Sequence, residues 1–188
     1  SLVFSHACHH STCGACGMLV NGVEKLTCIT PFRTVTKDGG KIRVEPLRNF
    51  PIISDLTVDM RSLFVNMEAV GHQPVLPIQE EDSHGKVKSK VDLLRLADCI
   101  ECGLCISACP IALTSPTYLG PAILAGAQQN GELTPCILNL VDSEDGVWRC
   151  HSAYECTEVC PSNVDPAWRI MDLRKKIISE RVKQFFHS

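Results

Sequence analysis

The spacing of the twelve cysteines constrains this chain more than any other feature. They stand at positions 8, 13, 16 and 28, then 99, 102, 105 and 109, then 136, then 150, 156 and 160. Eleven fall into three tight groups, and Cys136 is alone. A disulfide scaffold needs no such grouping. It is usually short and above roughly 8–10% cysteine, whereas 12 of 188 residues is about 6%. Short spacings make several thiolates converge on one point, which is what metal or cluster ligation requires.

Cys8-x4-Cys13-x2-Cys16, followed by Cys28, is the plant-type ferredoxin spacing for a [2Fe–2S] cluster. Gly14 and Gly17 flank the middle ligands and let backbone N–H groups approach the sulfurs. The alternative is a zinc-stapled binding module. Zinc favours two clean Cys-x2–4-Cys knuckles, which Cys8/Cys13 and Cys16/Cys28 do not form. His9 and His10 lie inside the loop, and with all four cysteines present they read as solvated rim residues rather than Rieske-type ligands. Asn21-Gly22 between apolar residues predicts a hairpin that carries Cys28 back to the loop. Residues Lys41 to Glu45 alternate polar and apolar, as a half-buried strand does.

Cys99-Ile-Glu-Cys102-Gly-Leu-Cys105-Ile-Ser-Ala-Cys109-Pro110 is the bacterial ferredoxin run. Residues 150 to 161 repeat its frame. Cys150, Cys156, Cys160 and Pro161 match Cys99, Cys105, Cys109 and Pro110, while Ala153 stands where a thiol matching Cys102 is expected. In two-cluster ferredoxins the fourth cysteine of each run serves the other cluster. Exchanging the fourth ligands gives Cys99, Cys102, Cys105 and Cys160 for a [4Fe–4S] cluster. It leaves Cys109, Cys150 and Cys156, three thiolates facing Ala153, for a [3Fe–4S] cluster. Cys136 fits neither frame and reads as an inert thiol.

The expected fold class is α+β: an N-terminal plant-ferredoxin-like β-grasp [2Fe–2S] domain over residues 1–54, then an all-α, bacterial-ferredoxin-like two-cluster domain over 55–188. A length of 188 residues accommodates two small cores. Asp55 to Val70 carries an apolar stripe at helical spacing. Residues 79–90 read as a polar loop, and 91–98 as a short helix leading into Cys99. Helices are expected over 119–130 and 133–140, each with proline near its start. Asp165-Pro166 opens a long helix with Trp168, Ile170, Leu173, Ile177, Ile178 and Val182 on its apolar side. A plant-type loop is normally preceded by a strand pair, but only seven residues precede Cys8, so the chain reads as a piece lacking its start. With 18 Lys+Arg against 21 Asp+Glu and no basic block, nucleic acid is not an expected partner. No run of 18 apolar residues suggests a spanning helix.

A two-iron module joined to an eight-iron-type module with one cysteine missing resembles the iron–sulfur subunit of succinate dehydrogenases and fumarate reductases. The resemblance covers essentially the whole chain. It rests on the Cys13-Gly-Ala-Cys16-Gly-Met-Leu-Val-Asn-Gly-Val run, on the Cys99–Pro110 run, on Leu119-Gly-Pro-Ala, and on Gly146-Val-Trp-Arg-Cys150 followed by Cys156-Thr-Glu-Val-Cys160-Pro-Ser-Asn-Val-Asp-Pro166. Asn163-Val-Asp-Pro166 is closer to fumarate reductases, and His151 after Cys150 is closer to succinate dehydrogenases. The chain departs from the family at His9, where arginine is frequent, and at Ile111 to Ser115, where succinate dehydrogenases carry a tryptophan beside the quinone.

The resemblance implies an electron-transfer subunit with no succinate chemistry of its own. Its implied partners are an FAD-containing flavoprotein that interconverts succinate and fumarate, and a membrane anchor with quinone. It implies a peripheral position on the cytoplasmic face of the cell membrane, or the matrix face in a mitochondrion. Pro110 and His151, each next to a ligand of the three-iron cluster, are the expected quinone-proximal residues. A soluble thiol-coupled fumarate reductase or heterodisulfide reductase-like subunit is the rival within the same chemistry.

Overall fold

A computed structural model describes residues 1–72, 99–131 and 133–187. The N-terminal sheet has strand order β2-β1-β3, with β1 at Gly17–Val20, β2 at Val23–Leu26 and β3 at Val44–Glu45. β1 and β2 are antiparallel, Gly17 facing Leu26 and Val20 facing Val23. Asn21 and Gly22 take φ 52° and 83°, the two left-handed positions of the expected hairpin turn. The strand expected over 41–45 is paired only at Val44 and Glu45. Just beyond it the Asn21 N–H donates to the Arg43 carbonyl at 2.8 Å, and the Arg43 N–H donates to the Asn21 side-chain oxygen at 2.9 Å.

A helical turn, α1, spans Phe32–Val35, and β4 (Ile52–Ser54) pairs with β5 (Thr57–Val58) in a second small hairpin. The helix expected from Asp55 begins six residues later, as α2 at Arg61–Ala69. Asp55 turns the hairpin at φ 45°, and Leu56 belongs to that turn rather than to the helix. Asp59 stops the strand and starts the helix, its carboxylate accepting the Arg61 N–H at 3.0 Å. Leu63, Met67 and Val70 are buried as the stripe predicts, while Phe64 faces outward.

The rest is helical: α3 at Leu104–Ala108, α4 at Pro110–Thr114, α5 at Pro121–Asn130, α6 at Pro135–Val141, α7 at Glu155–Glu158 and α8 at Pro166–His187. Proline opens α4, α5, α6 and α8, where its missing N–H costs no intrahelical bond. Thr134 caps α6 by accepting the Ile137 N–H at 3.3 Å, and Asp165 accepts the Trp168 N–H at 3.2 Å at the head of α8. α5 is buried from Pro121 through Ala127 and packs against both α2 and α8. Ile170, Leu173 and Ile177 face α5, whereas Trp168, Ile178 and Val182 stay exposed. At about 100° per residue those three lie on the opposite side of α8. Truncating Leu173 to alanine should cost about 2–5 kcal/mol.

One apolar core runs through both halves, joining Leu19, Leu26 and Leu47 to Leu104, Ile123 and Leu173. The expected loop at 79–90 and helix at 91–98 lie outside the described residues. No helix among the described residues is long and apolar enough to cross a membrane.

Candidate metal centres

The first thiol group is built by a tightly curled loop and a returning hairpin. His9, Ser11 and Gly14 take left-handed φ values of 61°, 63° and 69°. That curl turns backbone donors inward: His10 and Thr12 N–H each reach Cys8 Sγ at 3.4 Å, and Cys8 N–H reaches Cys13 Sγ at 3.5 Å. Hydrogen bonds from the Thr12 side chain and the His10 backbone lower the Cys8 thiol to about 5. Cys28 sits on the turn after β2. The Thr27 N–H and hydroxyl both donate to the Cys16 carbonyl at 3.1 Å, fixing that turn against the loop. Burial, then a hydrogen bond with Cys16, raises the Cys28 thiol, and the Cys16 and Cys8 sulfurs add to it. The four thiols therefore meet.

The second group is deeper. Burial pushes Cys99 up to about 12, Cys102 up to about 11 and Cys105 well above the usual thiol range. Each feels the charge of Cys160, which arrives from 51 residues beyond Cys109 in the repeat frame. Cys109 interacts with Cys150, and Cys156 with both. Cys160 thus lies within electrostatic reach of the first run's thiols, and Cys109 within reach of the second run's. Cys136 is exposed near the start of α6, outside all three groups.

Backbone geometry shows that the two runs are one repeat. Glu101 and Ser152 are equivalent, take φ 54° and 57°, and donate their N–H to Cys99 and Cys150 sulfur at the same 3.4 Å. Gly103 and Tyr154 are equivalent and take φ 74° and 66°. Each precedes a short helix, α3 or α7. Only the thiol at Ala153 is missing from the frame.

Beside Ala153 lies an open cleft, and Cys109, Cys150 and Cys156 line it. Pro110 and His151 border the same cleft. Three thiols around Ala153, with no fourth at the frame position, fit a cluster lacking one ligated corner. Among the described residues no three His, Cys, Asp or Glu side chains stand close enough to hold a single metal ion. A four-thiolate zinc site would need sulfurs about 3.8 Å apart, from Zn–S bonds near 2.3 Å in a tetrahedron. A polynuclear cluster spreads its thiolates over several irons and does not need that convergence.

The groups stand in a row. A Cβ on Gly14 would lie 2.9 Å from the Cα and Cβ of Cys102, and one on Gly17 would lie 3.0 Å from the Cys102 carbonyl. Cys16 of the first group acts electrostatically on Cys102 of the second, and Cys156 of the third acts on Cys105.

Sequence reasoning missed two residues of the third group. Tyr118 is buried, hydrogen-bonds Cys150 and has its hydroxyl pushed up by burial, with Cys150 and Cys109 adding to the effect. Arg174 of α8 donates to the carbonyl oxygens of Val147 and Cys150 and so anchors the Cys150 loop. Neither belongs to a cysteine run, and nothing in their sequence spacing points to one.

Comparison with known proteins agrees with this geometry. Residues 1–65 match the 2Fe-2S iron-sulfur cluster binding domain family, and residues 95–164 match the 4Fe-4S dicluster domain family. The fumarate reductase iron-sulfur subunit of Escherichia coli O6:H1 is 36% identical over 174 residues, 88% of this chain and 70% of that protein. Its counterpart from Mycobacterium tuberculosis is 32% identical over 195 residues, 98% of this chain and 77% of that one. The chain belongs to the iron–sulfur subunit family of fumarate reductases and succinate dehydrogenases. A chain of the Mycobacterium smegmatis Sdh1 complex in the apo form shares the fold, with a TM-score of 0.72 at 23% identity over 97% of this chain and 80% of that one. As a family member this chain is the electron-transferring subunit of such an oxidoreductase, with an N-terminal two-iron domain and a C-terminal dicluster domain.

Proposed function

We propose that Cys8, Cys13, Cys16 and Cys28 hold a [2Fe–2S] cluster, Cys99, Cys102, Cys105 and Cys160 a [4Fe–4S] cluster, and Cys109, Cys150 and Cys156 a [3Fe–4S] cluster. The first unit takes residues 1–54 and the second 55–188. The single observation carrying this reading is the succession of three thiol groups, in which Gly14 packs against Cys102 and Cys156 acts electrostatically on Cys105. When bound, the clusters supply one-electron carriers between an FAD flavoprotein acting on succinate or fumarate and a membrane quinone.

The chain's own residues do the rest. Backbone N–H groups of His10, Thr12, Glu101, Ser152 and Val164 point at ligand sulfurs, where they stabilise negative charge and tune potential. The apolar core and α5 keep water from the second group. Pro110 and His151 border the open cleft at the third group, which supports a quinone headgroup there, with a membrane anchor subunit completing the site. This reading puts the chain at the membrane as a peripheral subunit.

Potentiometric electron paramagnetic resonance on the intact complex tests it, together with iron and sulfide assays. About nine irons and about ten sulfides per chain are expected, with three distinct signals. About ten irons, with no three-iron signal in the oxidised state, would overturn the third assignment. A colourless protein with stoichiometric zinc would overturn all three.

A further inference from the structure

Glu24 and Ser107 are the buried polar side chains among the described residues, and they bond to each other. The Ser107 hydroxyl donates to Glu24 Oε1 at 2.8 Å across 83 positions of sequence. Arg48 closes the cluster. Its guanidinium donates to the same Oε1 at 2.9 Å, and its backbone N–H donates to Ser107 Oγ at 3.0 Å. Its neighbour Asn49, held at φ 65°, directs its side-chain amide at the carbonyl oxygens of Ile106 (2.8 Å), Ser107 (3.2 Å) and Cys109 (3.2 Å). Glu24 lies on β2, and Arg48 and Asn49 lie on the loop before β4. All of them grip α3.

α3 has five residues, too few to hold a helix by itself. It contains Cys105 of the second thiol group, and Cys109 of the third follows it directly. Where α3 sits therefore decides where both groups sit relative to the two-iron loop. Apolar contacts around α3 are non-directional and tolerate sliding. Hydrogen bonds with fixed geometry do not. Burying a carboxylate is costly, and apolar side chains of similar volume commonly serve stability as well or better. A buried Glu24 paired with Arg48 and Ser107 is thus an expensive way to gain stability and an effective way to fix register.

We propose that Glu24, Arg48, Asn49 and Ser107 are positioning residues: a polar latch that sets the separation between the two-iron loop and the thiol groups carried by α3. None of the four is a ligand. The latch rests on the ligand assignment given above.

The test uses the intact complex and the relaxation of the reduced two-iron signal. A nearby reduced four-iron cluster enhances that relaxation steeply with proximity, so microwave power saturation reads the separation directly. Ser107→Ala removes the hydroxyl that joins Glu24 to the Arg48 backbone. It should change the half-saturation power while iron content stays at the wild-type value. Glu24→Gln keeps an acceptor for both Ser107 and Arg48 and should restore wild-type saturation. Asn49→Asp tolerates the same backbone but turns a carboxylate toward three carbonyls. It should shift saturation as Ser107→Ala does, and it serves where Ser107→Ala fails to assemble. A lower Tm with unchanged saturation in both disruptive variants would make these residues merely structural and overturn the latch. Absence of the two-iron or the four-iron signal from the wild type would overturn the ligand assignment, and the latch with it.

Discussion

Gly14 packs directly against Cys102. A methyl group on Gly14 would stand 2.6 Å from the Ile100 carbonyl and 2.9 Å from the Cys102 Cα, and Gly14 already takes φ 69°. The two-iron loop and the four-iron loop therefore meet backbone to backbone, with no side chain between them. Glycine here meets two separate demands, a left-handed backbone and a close approach.

Gly14→Ala is expected to fail on both counts. The left-handed conformation costs about 1–3 kcal/mol and the overpacking about 1–3 kcal/mol more. Because the crowded atoms belong to the backbone of a ligand loop, the loss should fall on cluster assembly. Iron content and the two-iron and four-iron signals of the purified variant check this. Gly22→Ala serves as a control, since a Cβ there meets nothing within 4 Å and adds only the strain of φ 83°. If the two variants retained iron equally, close packing at Gly14 would not matter.

Much of the site was legible because iron ligation is written in local spacing. Each cysteine group and the Asn21-Gly22 hairpin follow from residues within about 20 positions of one another, and the missing thiol from laying one short run on the other, 51 positions on. Helix starts at Pro121, Pro135 and Pro166 were legible for the same reason. What escaped was short or distant. α3 and α7 have five and four residues, too few to show a period. The stripe beginning at Leu56 imitated a helix because a turn and two strand residues happened to continue its spacing. Tyr118, Arg174 and the Glu24–Ser107 pair reach their partners across 24 to 83 positions, and no local pattern encodes such contacts.

Ala153→Cys should convert the proposed three-iron centre toward a four-iron one. Ala153 occupies the frame position of Cys102, follows Ser152 in the equivalent left-handed turn, and lines the cleft with Cys109, Cys150 and Cys156. Iron should rise from about nine to about ten per chain, with the oxidised-state three-iron signal lost. The added thiolate makes the centre more negative, so its potential should fall. Persistence of the original signal at full intensity would show that residue 153 does not face the centre.

Thr12→Val should lower the potential of the two-iron centre. The Thr12 side chain is the strongest hydrogen-bonding influence on Cys8, ahead of the His10 backbone. Such donors favour the more negative, reduced state of a cluster, so removing one destabilises reduction. The backbone N–H bonds from His10 and Thr12 remain in the variant. A downward shift on the order of tens of millivolts is expected, where about 59 mV corresponds to tenfold for one electron. Redox titration of the two-iron signal measures it, and an upward shift would contradict the assigned donor role.

His151→Ala should separate two activities of the complex. His151 follows Cys150 and borders the same cleft as Pro110, which follows Cys109, so both lie beside the proposed third centre. The imidazole is exposed, unlike the buried Tyr118 on the inner wall of that cleft. An exposed imidazole beside the centre can donate a hydrogen bond to a quinone oxygen. Replacing it should slow quinone-linked turnover and raise the KM for quinone. Succinate oxidation with an artificial acceptor that draws electrons before the third centre should stay unchanged. The three-iron signal should also keep its intensity, because the Ser152 N–H and the Arg174 guanidinium, not His151, hold the Cys150 loop. Equal loss in both assays would trace the effect to assembly. Unchanged quinone turnover would leave the proton and hydrogen-bond chemistry at this cleft to groups outside this chain.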